Sequence, residues 1–226
     1  MTGSTDRSMA DKRLVIFDLD GTLVDTSEGI FDTARFTAMQ LGIDADVPME
    51  RMRRFIGPPL DECFRIVYNL NDGQIRKAYP VYQARYRACG QFRGKVYDGI
   101  PQVLSALHGR GYLLAVGTLK NESVSLSLLG HFGLLDYFDV VHGDAEQGGR
   151  TKSDVLSLIL SDLHLPPSDA LLVGDSMHDQ NGAAAVGVSF IAAAYGFGFP
   201  TRPATGSLVS AVIDNPLELL PLLPAL

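Results

Sequence analysis

Short apolar runs that recur along the chain constrain its fold more than any other feature. They cover residues 14–18, 112–118, 138–143, 170–175 and 189–194, and most of them close on Gly, Thr or Asp. Uninterrupted apolar runs of this length are typical of parallel strands that are buried on both faces of a sheet. Helical patterns separate the later runs, so the sequence predicts an α/β fold with a doubly wound parallel sheet.

The helical patterns define the expected domain organisation. Three of them lie between strand runs, over residues 100–111, 122–133 and 153–165. The last begins at Ser153 and ends before Pro166. Between the first and second strands the pattern changes to amphipathic stretches without a convincing buried strand. We therefore expect two domains: an α/β core formed by residues 1–26 and 94–226, and a helical cap formed by residues 27–93.

Composition limits the classes of protein to which this chain can belong. Its 226 residues are 46% hydrophobic and 20% charged, which is ordinary for a globular protein. The apolar runs are of strand length, far below the roughly 20 residues that cross a bilayer, so no membrane partner is expected. The first 13 residues are polar and lack a signal-peptide pattern, so we predict a loose N-terminal tail and a cytoplasmic location.

Charge is distributed unevenly along the chain. The formal net charge of −7 argues against nucleic acid as a partner. Residues 27–95 nevertheless hold 11 Lys and Arg against 8 Asp and Glu, a local balance of +3. The predicted cap is therefore a basic insert in an acidic protein. Two cysteines without metal-binding spacing, Cys63 and Cys89, are expected to be reduced.

The residues that close the predicted strands carry the chemistry. In open α/β sheets the binding site lies beyond the carboxyl ends of the strands. The groups expected there are Asp18, Asp20, Thr118, Asp175 and Asp179, with Lys152 from the start of a helix. Carboxylates this close repel one another and need compensation. Mg²⁺, a hard cation that prefers oxygen ligands, is the cofactor that this set predicts.

An aspartate beside such a metal can act as a nucleophile towards phosphorus. Its carboxylate is already ionised at neutral pH and needs no base to activate it. A lysine and a hydroxyl group can bind the phosphoryl oxygens, and a second carboxyl can protonate the leaving group and later deprotonate water. A calcium loop also begins with D-x-D, but it needs glycine at its sixth position, whereas Gly21 is fourth here.

Four motifs in order carry a resemblance to a known family. "DLDGTLVDT", "VGTLK", "GRTKSDVL" and "GDSMHD" resemble the four motifs of the haloacid dehalogenase superfamily of phosphohydrolases. "FIGPPLDE" and "KVYDGIPQVLSALHGRGYLLAVGT" look like its phosphoglycolate-phosphatase-like branch, which has a helical cap. The resemblance covers nearly the whole chain. The sequence departs from the family's motifs in detail, since Leu119 stands where a polar residue is common and Ser153 follows Lys152 in place of proline.

The resemblance implies a role for each matching residue. Asp18 would be the nucleophile and first Mg²⁺ ligand, and Asp20 the general acid and base whose backbone carbonyl also meets the metal. Thr118 and Lys152 would bind the phosphoryl group, with Lys120 as a rival for the lysine role. Asp175 would ligate the metal, and Asp179 would support the metal site or orient Lys152.

The resemblance also implies a phosphatase that acts on a small phosphorylated metabolite through an aspartyl-phosphate. Phosphoglycolate is the first expected substrate, followed by nucleoside monophosphates and sugar phosphates. A phosphomutase of β-phosphoglucomutase type is the nearest alternative, because it shares the nucleophile. A non-catalytic binding protein would have lost Asp18, Asp20 or Lys152, and all three are present. The sequence leaves open whether the protein is a monomer or a homodimer.

Substrate choice is expected to lie in the cap. Arg54, beside the stiff turn "FIGPPL" around Gly57, is the candidate substrate-binding residue, although Arg51, Arg53 and Arg54 could equally form a solvated helix face. Three tyrosines at helical spacing are interpreted as packing residues. His178 is interpreted as a loop residue that faces solvent. Asp25 and Thr26 are interpreted as a helix N-terminal cap. The tyrosines are Tyr79, Tyr82 and Tyr86.

Overall fold

A parallel sheet forms the centre of the protein. The structure, a computed structural model, describes residues 9–146, 148–199 and 201–226. Within these residues the main sheet has six strands: β1 (Leu14–Phe17), β4 (Leu113–Asn121), β5 (Val140–Asp144), β6 (Ala170–Gly174), β7 (Ser189–Ala193) and β8 (Ala211–Ile213). Their order across the sheet is β5-β4-β1-β6-β7-β8, and every pairing is parallel. The predicted doubly wound α/β fold is confirmed.

Strand β1 lies at the centre because both of its faces are apolar. All four residues are essentially inaccessible to solvent. Val15 and Phe17 contribute to a core on one face of the sheet, while Leu14 and Ile16 contribute to a second core on the other. A strand buried on both faces cannot tolerate polar side chains within its length, so they appear only where it ends.

The order of the strands creates a switch point beside β1. The chain runs from β1 to β4 and β5 on one side, and then crosses to β6, β7 and β8 on the other. Phe17 pairs in register with Val116 of β4 and with Val173 of β6. The residues that follow these three positions therefore lie level with one another, at the crevice where ligands bind in such sheets.

Four helices cover the sheet: α5 (Ile100–Gly109), α6 (Glu122–His131), α7 (Lys152–Asp162) and α8 (Met177–Val186). The prediction that the third helix begins at Ser153 is wrong by one position. Thr151 is the N-cap residue, and its hydroxyl accepts from the backbone N–H of Asp154 in a capping box. Helix α7 therefore begins at Lys152, which fixes that lysine at the amino end of the helix.

Residues 27–93 lie between β1 and β4 and are largely helical, and we call this segment the helical insert. Its helices are α1 (Ser27–Gln40), α2 (Met49–Met52), α3 (Leu60–Tyr68) and α4 (Asp72–Ala88). They enclose a separate apolar cluster that includes Phe55, Phe64 and Tyr82. A short antiparallel pair, β2 (Val24–Asp25) and β3 (Lys95–Val96), joins the two ends of the insert. The sequence predicted the helices but neither this pair nor β8.

Two terminal features complete the comparison with the sequence. The predicted loose tail falls mainly on residues 1–8, which lie outside the described residues, and a short 3₁₀ turn (Met9–Asp11) precedes β1. In the described part of the chain, no helix combines the length and the apolar character that crossing a membrane requires. Cys63 and Cys89 are free thiols, as expected.

Candidate active site

Asp18 and Lys152 form a buried ion pair at the carboxyl end of β1. The backbone N–H of Asp18 continues the sheet by donating to the Val173 carbonyl at 2.9 Å. Its side chain meets the Lys152 ammonium, with Nζ 2.7 Å from Oδ1. Lys152 also donates to the Gly117 carbonyl at 2.7 Å, within β4. Three separate elements therefore hold the proposed nucleophile and lysine in one position.

Asp179 is the second carboxylate partner of Lys152, with Oδ1 2.6 Å from Nζ. Its other oxygen accepts from the backbone N–H of Ser176 at 3.0 Å and from the Ser176 hydroxyl at 2.6 Å. Ser176 caps helix α8 in return, through the backbone N–H of Asp179. This capping box fixes Asp179 in the first turn of the helix, where negative charge is favourable.

Asp175 closes β6 and faces a loop after β7. Its Oδ2 accepts from the backbone N–H groups of Phe197 at 2.7 Å and Gly198 at 3.1 Å. Gly21, with φ of +84°, lies against the same carboxyl group, and a Cβ there would collide with it. The loop that follows β7 therefore holds one oxygen of this carboxyl group.

Three buried carboxylates surround one point of the site. Asp18, Asp175 and Asp179 each offer an oxygen, and these oxygens lie within 4.8 Å of one another. Burial, partly offset by Lys152, raises the pKa of Asp18 to about 7. Burial and the charges of Asp179 and Asp18 raise the pKa of Asp175 well above its usual value. One ammonium cannot balance three carboxylates, so this donor set fits a divalent cation that prefers oxygen ligands.

Lys152 stays charged in spite of its burial. Desolvation by itself would lower its pKa, but the charges of Asp179 and Asp18 outweigh it, and the pKa is raised above the ordinary value. Helix α8 passes close by at Gly182, where a Cβ would lie 2.5 Å from Lys152 Cγ. Glycine at this position leaves the space that the buried lysine side chain occupies.

Asp20 belongs to a second ion pair on the side of the helical insert. Its Oδ2 lies 2.6 Å from the Lys120 ammonium, and its Oδ1 accepts from the Thr26 hydroxyl at 2.6 Å. Lys120 also lies 4.8 Å from the ring centroid of Tyr86 on α4. The two candidate lysines thus serve different carboxylates: Lys152 contacts Asp18, and Lys120 contacts Asp20.

Three further predictions concern residues near Asp20. Thr118 is buried within β4, and its hydroxyl accepts from the backbone N–H of Lys120 at 3.2 Å. Thr26 occupies the N-cap position of α1 but makes no capping hydrogen bond, because its hydroxyl binds Asp20. Asp25 accepts from the backbone N–H of Ser27 at 3.0 Å, so only Asp25 acts as the cap interpretation expects.

A cavity of about 370 Å³ opens between this rim and the helical insert. Its lining includes Asp18, Asp20, Thr118, Lys120, Lys152 and Asp179 from the core, with the turn 57–60 and several α4 residues from the insert. The three tyrosines also line it; Tyr82 and Tyr86 stack at 5.7 Å as packing residues. His178 lines the cavity too, although the sequence analysis placed it towards solvent.

The structure does not bring Arg54 into this cavity. Arg54 is exposed in the 3₁₀ turn that follows α2, whereas its neighbour Phe55 is buried and lines the cavity. The insert presents a different arginine, Arg87 of α4, to the cavity. Sequence reasoning missed Arg87 because α4 carries four basic residues, and their spacing does not say which one faces the core.

Comparisons with known proteins agree with this arrangement. Residues 15–193 match the family described as haloacid dehalogenase-like hydrolase. A protein of Pseudomonas aeruginosa named 5'-nucleotidase is 38% identical over 185 residues, which cover 81% of this chain and 83% of that protein. A phosphoglycolate phosphatase of Nitrosospira multiformis is 34% identical over 194 residues, which cover 82% and 84%.

A solved structure extends the comparison to the fold. The Mycobacterium tuberculosis protein named protein tyrosine kinase A is 34% identical, with a TM-score of 0.77 over 90% of this chain and 94% of that one. The family match spans β1 to β7 and includes every predicted site residue, Arg54 among them. The chain is therefore an enzyme of the haloacid dehalogenase-like hydrolase family, whose relatives include proteins named 5'-nucleotidase and phosphoglycolate phosphatase.

Proposed function

We propose that the protein is a Mg²⁺-dependent phosphomonoester hydrolase that works through an aspartyl-phosphate on Asp18. The observation that carries the proposal is the buried group of Asp18, Lys152, Asp175 and Asp179 at the switch point of the sheet. Family membership supports hydrolysis, and the names of the relatives support phosphate esters as substrates.

Asp18 and Asp175 are the side chains that would hold the metal, together with the backbone carbonyl of Asp20. Asp179 has one oxygen on Lys152 and the other on Ser176, so we assign it the role of orienting the lysine. When bound, Mg²⁺ would neutralise the repulsion between the nucleophile and a phosphate dianion. The excess of buried negative charge supports this assignment.

In the first half-reaction an Asp18 carboxylate oxygen attacks phosphorus. The bond between phosphorus and the ester oxygen breaks, and its electron pair goes to the leaving alcohol oxygen, which Asp20 protonates. Thr118 and Lys152 donate hydrogen bonds to the phosphoryl oxygens as charge develops. Because Lys120 lies 2.6 Å from one Asp20 oxygen, we expect this contact to lengthen when Asp20 turns to the leaving group of a bound substrate.

In the second half-reaction water attacks the phosphorus of the aspartyl-phosphate. Asp20 accepts a proton from this water, and the bond between phosphorus and the Asp18 oxygen breaks. The products are inorganic phosphate and the free Asp18 carboxylate. The helical insert would act as a cap in both steps, because its turn 57–60 and helix α4 enclose the cavity and limit access of bulk water.

Product analysis tests the proposal directly. With a panel of phosphomonoesters and Mg²⁺, we expect inorganic phosphate to appear in proportion to substrate loss. Acid quenching during turnover should leave a phosphoryl group on the peptide that contains Asp18. Isomerised hexose phosphate without phosphate release would instead indicate the mutase, and transfer to a tyrosine would indicate a kinase.

A further inference from the structure

We propose that the physiological substrate is a phosphomonoester of an uncharged, hydroxyl-bearing alcohol, such as a polyol, sugar or nucleoside, and not of a carboxylate-bearing alcohol such as glycolate. The inference rests on the proposed function, because it concerns the leaving group at the same site. It depends on which charges line the cavity and which of these charges are already balanced.

The two lysines that line the cavity already form ion pairs with catalytic carboxylates. Lys152 lies 2.7 Å from Asp18 and 2.6 Å from Asp179. Lys120 lies 2.6 Å from Asp20, and both members of that pair are largely buried. A substrate carboxylate could recruit either lysine only by leaving a catalytic carboxylate without its partner, which is costly in a buried site.

Arg87 is balanced as well. Its guanidinium lies 2.9 Å from Glu146 and donates to Asn121 at 3.3 Å and to Ser123 at 3.0 Å. The Ser123 hydroxyl in turn donates to the other Glu146 oxygen at 2.6 Å. The network joins α4 of the insert to the core, and it neutralises the one arginine that reaches the cavity lining in the described part of the chain.

Two carboxylates outside the catalytic group make the cavity wall negative. Asp61 of the insert and Asp144 of β5 both line it. Asp61 shares Arg65 with Asp72, at 2.7 Å each, and Arg65 lies outside the lining. Burial, and then the charge of Asp144, raise the pKa of the nearby Tyr79 phenol. A second anion in this space would meet repulsion in addition to desolvation.

The same groups suit an alcohol that carries hydroxyls. Ionised carboxylates only accept hydrogen bonds, and hydroxyl groups can donate to them. Gln83, Asn121 and Tyr79 add neutral polar groups to the lining, and Phe55 and Val124 add apolar surface. Small-molecule sites typically combine apolar surface with convergent polar groups, and this cavity offers both.

A pair of substrates that differ at one carbon tests the inference. Glycerol 3-phosphate ends in a hydroxymethyl group where 3-phosphoglycerate carries a carboxylate. With the 226-residue chain and Mg²⁺, we expect kcat/KM to favour glycerol 3-phosphate by about tenfold or more, because the carboxylate of 3-phosphoglycerate would meet like charges at close range. A preference for 3-phosphoglycerate, or equal values, would overturn the inference.

Two variants should narrow this ratio. Glu146→Gln leaves the charge of Arg87 uncompensated, and Asp61→Asn removes one negative charge from the wall. We expect each to reduce the preference about three- to fivefold, mainly by improving kcat/KM for 3-phosphoglycerate. Asp72→Asn is the matched control, since Asp72 binds the same Arg65 but does not line the cavity. An unchanged ratio in both variants would contradict the role of the wall.

The result also separates this inference from the proposed function. para-Nitrophenyl phosphate serves as a generic substrate whose hydrolysis needs only the catalytic group. Its hydrolysis together with a preference for the carboxylated substrate would overturn the inference and leave the proposed function intact. No phosphate release from any of the three substrates would overturn the proposed function and the inference with it.

Discussion

The core side and the insert side of the cavity differ in how their charges are arranged. On the core side, each charged group lies at the end of a strand or in the first turn of a helix, and ion pairs are 2.6–2.7 Å long and buried. On the insert side, Arg87 and Asp61 are half-exposed and have partners outside the cavity. The first arrangement is rigid and suits a reaction that every substrate undergoes, whereas the second can vary without disturbing it.

The largest expected effect lies on the core side. Asp18→Asn removes the proposed nucleophile and one metal ligand, so we expect kcat to fall by about 10⁴-fold or more without loss of the fold. Steady-state kinetics measure the loss of kcat, and circular dichroism measures whether the fold is retained. Asp98→Asn, an exposed change outside the cavity, is the control. An Asp18→Asn variant with a tenth of wild-type kcat would show that Asp18 is not the nucleophile.

Metal binding should stabilise only the core side. Mg²⁺ relieves the repulsion among buried carboxylates, so we expect it to raise the Tm of the wild-type protein by a few degrees at saturation. Asp175→Asn should lose most of this rise, whereas Asp72→Asn should keep it. Excess chelator should abolish hydrolysis. Hydrolysis that persists in excess chelator, together with a Tm that Mg²⁺ does not change, would contradict the proposed metal requirement.

A smaller effect is expected on the free energy of unfolding when the packing around Lys152 is changed. Replacing a helical glycine by alanine usually raises the free energy of unfolding by about 0.5–1 kcal/mol. Gly182→Ala should instead lower it by about 1–3 kcal/mol, because the new Cβ would overlap the Lys152 side chain. Gly130→Ala in α6, with open space around it, is the matched control. Denaturant unfolding of both variants measures the difference; stabilisation by both would refute the close packing.

The smallest effects distinguish the two arginines of the insert. Arg87→Ala breaks the network between α4 and the core, so we expect KM to rise about three- to tenfold for all substrates. Arg54→Ala changes an exposed side chain outside the cavity and should leave kcat and KM within about twofold of wild type. A substrate-dependent change in Arg54→Ala alone would restore the role that the sequence predicted for Arg54.

The apolar runs of the sequence predicted five of the six strands of the main sheet and the residues expected at its rim. Apolar runs such as Leu14–Phe17 can be buried on both faces only in a covered parallel sheet, and polar residues directly after them must then lie at one edge. Asp18 and Asp175 were predictable for that reason, whereas Thr118 lies within β4, which continues to Asn121. Each position depends on a strand and its length, which are properties of local sequence. The division of the chain into core and cap domains at residues 27 and 93 stays a prediction.

The packing of the helices against the core determines which side chains from the insert reach the cavity. A basic balance of +3 in residues 27–95 suggested an anion-binding cap. Arg54, however, is exposed and does not line the cavity, and Arg87 is paired with Glu146, which is 59 residues away along the chain. The sequence also did not predict that the backbone N–H groups of Phe197 and Gly198 bind Asp175. Contacts between distant segments depend on how helices pack, and net charge or spacing in one segment does not encode them.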